Sequence, residues 1–135
     1  MATYHVWLSG NPRPKGSMTP GRRRDGSLFV RHASGHVAAW CRSIGKQAPE
    51  KYNGPVHAGP VHVGVTFFLE RGKTVKRKYP CAKGSGDVDK LIRGVLDAFT
   101  GVAYVDDVQV VSCSGKKLYT DGEPAAAVII TDDEV

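Results

Sequence analysis

The chain has 135 residues, 41% of them hydrophobic and 8% aromatic, which suits one folded domain over residues 1–135 and excludes a disordered chain. The formal net charge of +6 conceals a division: residues 1–86 carry fifteen Lys and Arg against Asp25, Glu50 and Glu70, or +12, and residues 87–135 carry four against ten acids, or −6. That asymmetry points to a polyanionic partner, and no apolar run approaches the roughly 20 residues a membrane-spanning helix needs.

Tyr4–Leu8 alternates and reads as a short strand. Pro12 and Pro14 remove ladder donors, so residues 10–26 read as one long basic loop ending in Arg22-Arg23-Arg24. Leu28–Val30 is expected as a brief strand leading out of it. Ser34 is placed to cap a helix over 35–48, with Val37, Trp40, Cys41, Ile44 and Ala48 as its buried stripe and Pro49 as its stop. Residues 52–60 form a Gly/Pro-rich connector. Val61, Val63, Val65, Phe67 and Leu69 then alternate in the clearest strand of the chain. Residues 70–86 are too charged to pack and are expected as a mobile loop. The spacing of Leu91, Ile92, Val95, Leu96 and Phe99 predicts a helix over about 88–99, with Asp89, Arg93 and Asp97 on its polar side and Gly101 as its stop. Val108–Leu118 and Ala125–Thr131 are expected as two final strands joined by a turn at 120–123. The predicted fold is α+β, a mixed sheet with two helices in the order β–loop–α–β–α–β–β.

Cys41, Cys81 and Cys113 are scattered and odd in number, which argues against a disulfide framework and fits a reducing cytoplasm. No Cys-x-x-Cys is present for structural zinc, and no secretory signal is visible. His5, His32, His36, His57 and His62 are scattered and read as exposed or satisfied rather than catalytic.

The carboxylates are not spread evenly. Asp87-Val88-Asp89 opens the second helix and Asp106-Asp107 opens the next strand, 17–20 residues on. Taken singly, Asp89 reads as a helix cap, Asp106-Asp107 as a turn and Arg22-Arg23-Arg24 as a solvated face. Asp121 and the acidic tail over 131–135 read as solvated. Taken together, two Asp pairs flanking a helix in a basic chain suit Mg²⁺, which favours oxygen ligands and activates phosphodiester hydrolysis. On residues alone this is a Mg²⁺-dependent enzyme acting on nucleic acid, or a DNA-binding module whose carboxylates only cap and solvate.

Residues 86–99, Gly-Asp-Val-Asp-Lys-Leu-Ile-Arg-Gly-Val-Leu-Asp-Ala-Phe, followed by Asp106-Asp107-Val108-Gln109-Val110, resemble the RusA family of Holliday junction resolvases. That family's pattern is Asp-x-Asp-Asn-Leu, a basic residue, Leu-Asp-Ala-Leu, then Asp-Asp-x-Gln-Val. Pro12-Arg13-Pro14-Lys15-Gly16 also looks like the family's opening loop. The resemblance implies a structure-specific endodeoxyribonuclease, active as a homodimer and often phage-encoded, that resolves four-way junctions by paired nicks in recombination and repair. Forks and flaps are the alternative substrates. It implies Asp87, Asp89 and Asp107 as ligands of Mg²⁺, with Mn²⁺ as the alternative ion, and Asp106 as their acidic neighbour. Arg93 falls where the family carries a catalytic lysine, Lys90 replaces its Asn, and Lys117 matches a basic position on the next strand; Arg93 and Lys117 are expected to offset charge on the phosphoryl group, and both count with the four acids as catalytic. Arg13, Lys15, Arg22, Arg23, Arg24, Lys76, Arg77 and Lys78 are expected to grip the DNA backbone, with steep salt dependence.

Overall fold

The computed structural model describes residues 1–15, 18–32 and 35–133. Its elements are β1 (Thr3–Ser9), β2 (Met18–Arg22), β3 (Leu28–His32), α1 (Gly35–Lys51), β4 (Val61–Glu70), α2 (Val88–Phe99), β5 (Val110–Thr120) and β6 (Ala125–Asp132). A four-stranded sheet has the order β1-β6-β4-β5. Strand β6 lies antiparallel to both β1 and β4, and β5 lies parallel to β4. The fold is α+β, a mixed sheet with two helices, as the sequence predicts.

Alternation drives the packing. Val61, Val63, Val65, Phe67 and Leu69 of β4 are buried and the intervening residues are half-buried. The same face of the sheet contributes Val6, Leu8, Val128 and Ile130. Against it lie Trp40 and Ile44 of α1 and Leu91, Val95 and Phe99 of α2. Burying such side chains supplies about 1.5–3 kcal/mol each, so both helices are held by the sheet rather than by their own propensity. Gly115 marks the closest approach of β5 and α2: a Cβ there would lie 2.6 Å from Ile92 Cδ1.

Four sequence expectations are corrected. The basic loop over 10–26 is not continuous, because β2 pairs antiparallel with β3, with Pro20 opposite Val30. Each strand of a two-stranded ribbon is an edge, where a residue without an N–H is tolerated. The Asp25 carboxylate accepts from the Ser27 N–H at 2.8 Å and Gly26 takes φ +90°, which fixes the turn that carries Arg23 and Arg24. Helix α1 runs past Pro49 to Lys51, since Tyr52 N–H still donates to Ala48 O and both residues are buried. Ser34 lies outside the described residues. The 70–86 segment is an exposed loop apart from the 3₁₀ turn Lys83–Ser85, but it is anchored: Pro80 is fully buried, Arg71 donates to Arg77 O at 2.8 Å and stacks over the Tyr119 ring, and Arg77 reaches the Tyr119 hydroxyl.

The acidic tail is the fourth. Asp132 is the last residue of β6 and is buried, with Oδ1 accepting from the Ala2 N–H at 2.8 Å and Oδ2 lying 3.7 Å from His57 Nδ1. Asp133 accepts from His62 at 3.0 Å. His57 is thus a satisfied buried histidine, as expected. Beside it Tyr52 donates to Pro55 O at 2.7 Å, and burial, aided by Tyr4 and Asp132, pushes the Tyr52 phenol up to about 12.

Two outcomes follow. Gly115→Ala is expected to cost about 1–3 kcal/mol in urea titrations, and Ile92→Val, which removes the clashing methyl, should cost less in the Gly115→Ala background than alone. A phenol raised in the folded state stabilises fully below its unfolded value near 10 and loses that contribution as pH climbs towards about 12. Stability should therefore fall across that window, and Tyr52→Phe should reduce the fall. An unchanged alkaline slope in Tyr52→Phe would refute the assignment.

Candidate active site

Helix α2 carries the polar stripe. Leu91, Ile92, Val95 and Phe99 are buried against the sheet, so Asp89, Arg93 and Asp97, at steps of four, stand together on the outer face. Asp107 reaches the same face from the far end of α2. It opens a 3₁₀ turn, Asp107–Gln109, immediately before β5. Asp89, Arg93, Asp97 and Asp107 line one cleft of about 380 Å³, floored by Ile92, Leu96 and Cys113.

The electrostatics of the cleft are those of acids held close. A hydrogen bond shared with Asp106 raises the Asp107 carboxyl above its ordinary value; slight desolvation and the charges of Asp106 and Asp97 act the same way, and Arg93 opposes them. Asp97 is also ion-paired with Lys15 Nζ at 2.7 Å, and Lys15 N–H donates to Lys90 O, which docks the N-terminal segment on α2.

The sequence-predicted residues divide. Asp89, Arg93 and Asp107 share the cleft. Asp106 adjoins it, but its carboxylate caps the 3₁₀ turn by accepting from the Val108 N–H at 3.0 Å. Asp87, not Asp89, occupies the N-cap position of α2. Its side chain makes no capping bond, does not line the cleft, and lies 3.7 Å from Lys90 Nζ on an exposed surface. Lys117 points to the segment before Asp87, donating to Gly86 O at 2.8 Å and Ser85 Oγ at 2.9 Å. Gly86 has φ +83°, and a Cβ there would lie 2.9 Å from the Pro14 ring, so only glycine fits this turn.

The basic groups lie around this framework. Arg13 faces the 70–85 segment across a groove that also includes Pro80 and Tyr119. Arg22, Arg23 and Arg24 sit exposed at the tip of the β2–β3 hairpin, and Lys76, Arg77 and Lys78 are exposed. The sequence already places Asp97 on the polar side of α2 with Asp89 and Arg93, but without a role in the site, and the cleft gives it one. Gln109 likewise stands in the quoted motif without a role, although its spacing from Asp106 is that of a capping box.

The donor set is chemically suited to a hard divalent cation, being carboxylate oxygen throughout. Among the described residues, no three His, Cys, Asp or Glu side chains converge into a closed metal group.

The family model for endodeoxyribonuclease RusA matches residues 10–131. This chain belongs to the RusA endodeoxyribonuclease family. It is also similar to the uncharacterized protein YqaN of Bacillus subtilis (strain 168), at 30% identity over 133 residues, covering 89% of this chain and 87% of that protein. In this RusA-family chain the acid-bearing segments at both ends of α2 fall within the matched region, as do β5 and the hairpin.

The Lys117 contacts generate an expectation. Lys117→Met removes two charge-assisted hydrogen bonds that tie residues 85–86 to β5. It should cost about 1–3 kcal/mol on denaturation and accelerate amide exchange at Ser85–Asp87 relative to β4. Wild-type exchange there would mean that Lys117 does not anchor the segment.

Proposed function

We propose that this chain is a Mg²⁺-dependent, structure-specific endodeoxyribonuclease that resolves four-way DNA junctions by paired nicks, acting as a homodimer in the cytoplasm of a bacterial or phage-infected cell. The observation that carries the reading is one cleft lined by Asp89, Asp107 and Arg93 in a strongly basic member of the RusA family. Mn²⁺ is the alternative ion.

Asp87, Asp89 and Asp107 are the acids the family pattern offers as cation ligands, and the Asp87–Lys90 pair is an exposed contact worth only about 0–1 kcal/mol, so it does not withhold Asp87. One or two Mg²⁺ ions would supply Lewis-acid stabilisation of the scissile phosphodiester. Arg93, on the same helix face, orients the phosphoryl oxygens and offsets their growing charge. A guanidinium does this bidentately, where an ammonium acts as a point charge. Lys117 fixes the segment that carries Asp87 through Gly86 O and Ser85 Oγ, and its charge would add to that of Arg93 at the phosphoryl group. Arg13, Arg22–Arg24 and Lys76–Lys78 hold the backbone of the DNA arms, reading shape rather than bases. Two copies related by a two-fold axis would present two such clefts to opposed strands.

The test uses labelled four-way junctions, a replication fork and linear duplex, with Mg²⁺, and the variants Asp89→Asn and Asp107→Asn. Both variants should retain junction binding, with cleavage below about 1% of wild type. Wild-type cutting by both would remove the metal-site assignment. Faster cutting of the fork than of the junction would replace the substrate assignment.

A further inference from the structure

Gln109 makes four hydrogen bonds with one carboxamide. Its Oε1 accepts from the Val105 N–H at 2.9 Å and the Asp106 N–H at 3.0 Å. Its Nε2 donates to His57 O at 2.8 Å and Gly59 O at 2.9 Å. A carboxamide has two acceptor and two donor places on its terminal atoms, and all four are used. The oxygen holds the turn that presents Asp107, and the nitrogen holds the connector between α1 and β4.

That connector is a firm base. The His57 N–H donates to Ala103 O at 2.8 Å, the His57 ring is buried beside Tyr52 and Asp132, and Asp133 N–H donates to Pro60 O. The turn's other hydrogen bonds are internal, Val108 N–H to the Asp106 carboxylate at 3.0 Å and Gln109 N–H to Asp106 O at 3.0 Å, so they close it without tying it to another element. Residues 105–108 are exposed, and Asp107 faces the like charges of Asp106 and Asp97.

We propose that Gln109 is the positioning residue for Asp107: by bridging the 105–106 amides to the 57–59 carbonyls, it holds the turn that keeps the Asp107 carboxylate in the cleft. This rests on the reading of Asp107 as a metal ligand. No other side chain replaces it. Glu keeps the length and both acceptor contacts but has no donors for the two carbonyls, Asn is one methylene short, and Met has neither donors nor a strong acceptor.

The experiment measures Mn²⁺ binding by titration calorimetry on the full chain, with junction binding in EDTA and amide exchange alongside. The variants are Gln109→Met, Gln109→Glu, Asp107→Asn and the double variant Asp107→Asn with Gln109→Met. Both Gln109 variants should weaken Mn²⁺ binding about 10–100-fold, in the range typical of residues that orient ligands. Exchange at Val105 and Asp106 should rise, and junction binding should stay within about twofold because the basic groups are untouched. The double variant should bind Mn²⁺ no more weakly than Asp107→Asn alone, since a residue acting through Asp107 has nothing left to position. Wild-type Mn²⁺ affinity in Gln109→Met overturns the inference while leaving Asp107 as a ligand, provided that Asp107→Asn loses the ion. A double variant weaker than Asp107→Asn overturns it too, because Gln109 would then act elsewhere. If one Gln109 variant does not fold, the other carries the comparison. If Asp107→Asn binds Mn²⁺ like wild type, the ligand reading fails and this inference with it.

Discussion

The parallel pairing of β4 with β5 is the constraint on which the site depends. Parallel neighbours cannot be joined by a tight turn, so the chain must cross the sheet between them, and α2 is that crossing. Its twelve residues span about 18 Å, roughly half the length of β4 and β5. The two acid-bearing segments are therefore delivered to opposite ends of one helix, Asp87 at the start and Asp106-Asp107 beyond the end. What unites them is the exposed face of α2, where Asp89, Arg93 and Asp97 bridge the distance. A site built on a helix face is as firm as the packing beneath it, and here that packing is Leu91, Ile92 and Val95 on β4 and β5.

Both segments are tied back to the sheet layer by single side chains. Lys117 extends from β5 to Gly86 and Ser85, and Gln109, at the foot of the same strand, bridges the Asp106-Asp107 turn to the 57–59 connector. Each tie uses a long polar side chain whose terminal groups find more than one backbone or hydroxyl partner. The reason is electrostatic as much as mechanical. Carboxylates drawn into one cleft repel, so their backbone must be anchored by contacts that do not depend on the carboxylates themselves. Lys15 adds a third tie from the N-terminal segment, through Asp97 and the Lys90 carbonyl.

Local periodicity explains what the sequence disclosed. The alternation in β4 and the apolar stripe of α2 are properties of short windows, and the strand and helix stand where those patterns lie. The β2–β3 hairpin was hidden because Pro20, Gly21 and the arginines carry no alternation, and its pairing is made across the turn. Asp132 was misread because its burial comes from Ala2 and His57, which are distant in sequence. The candidate site was half legible. The motif located Asp89, Arg93 and Asp107, but which acids share a cleft is decided by the direction of the crossover, and that follows from strand order. Asp97 shares the cleft because it stands two turns from Asp89 on the same helix face, whereas Asp87 is the N-cap residue before the first turn.

The division of charge along the chain also has a spatial sense. The cation-rich segment over 71–83 follows β4 and leads straight into Asp87, and Arg13 faces that segment across a shared groove. Positive side chains thus surround the entry to α2, and negative ones line its outer face. A polyanion drawn to the first meets the second only if a cation or Arg93 offsets the carboxylates, because bare phosphate and bare carboxylate repel. The same arrangement that attracts DNA therefore makes its seating in the cleft conditional on positive charge there. Arg93 supplies one such charge from within the chain, in the middle of the acidic stripe. The remaining acids, Asp89 and Asp107 above all, leave a negative excess around it, since Lys15 is already paired with Asp97.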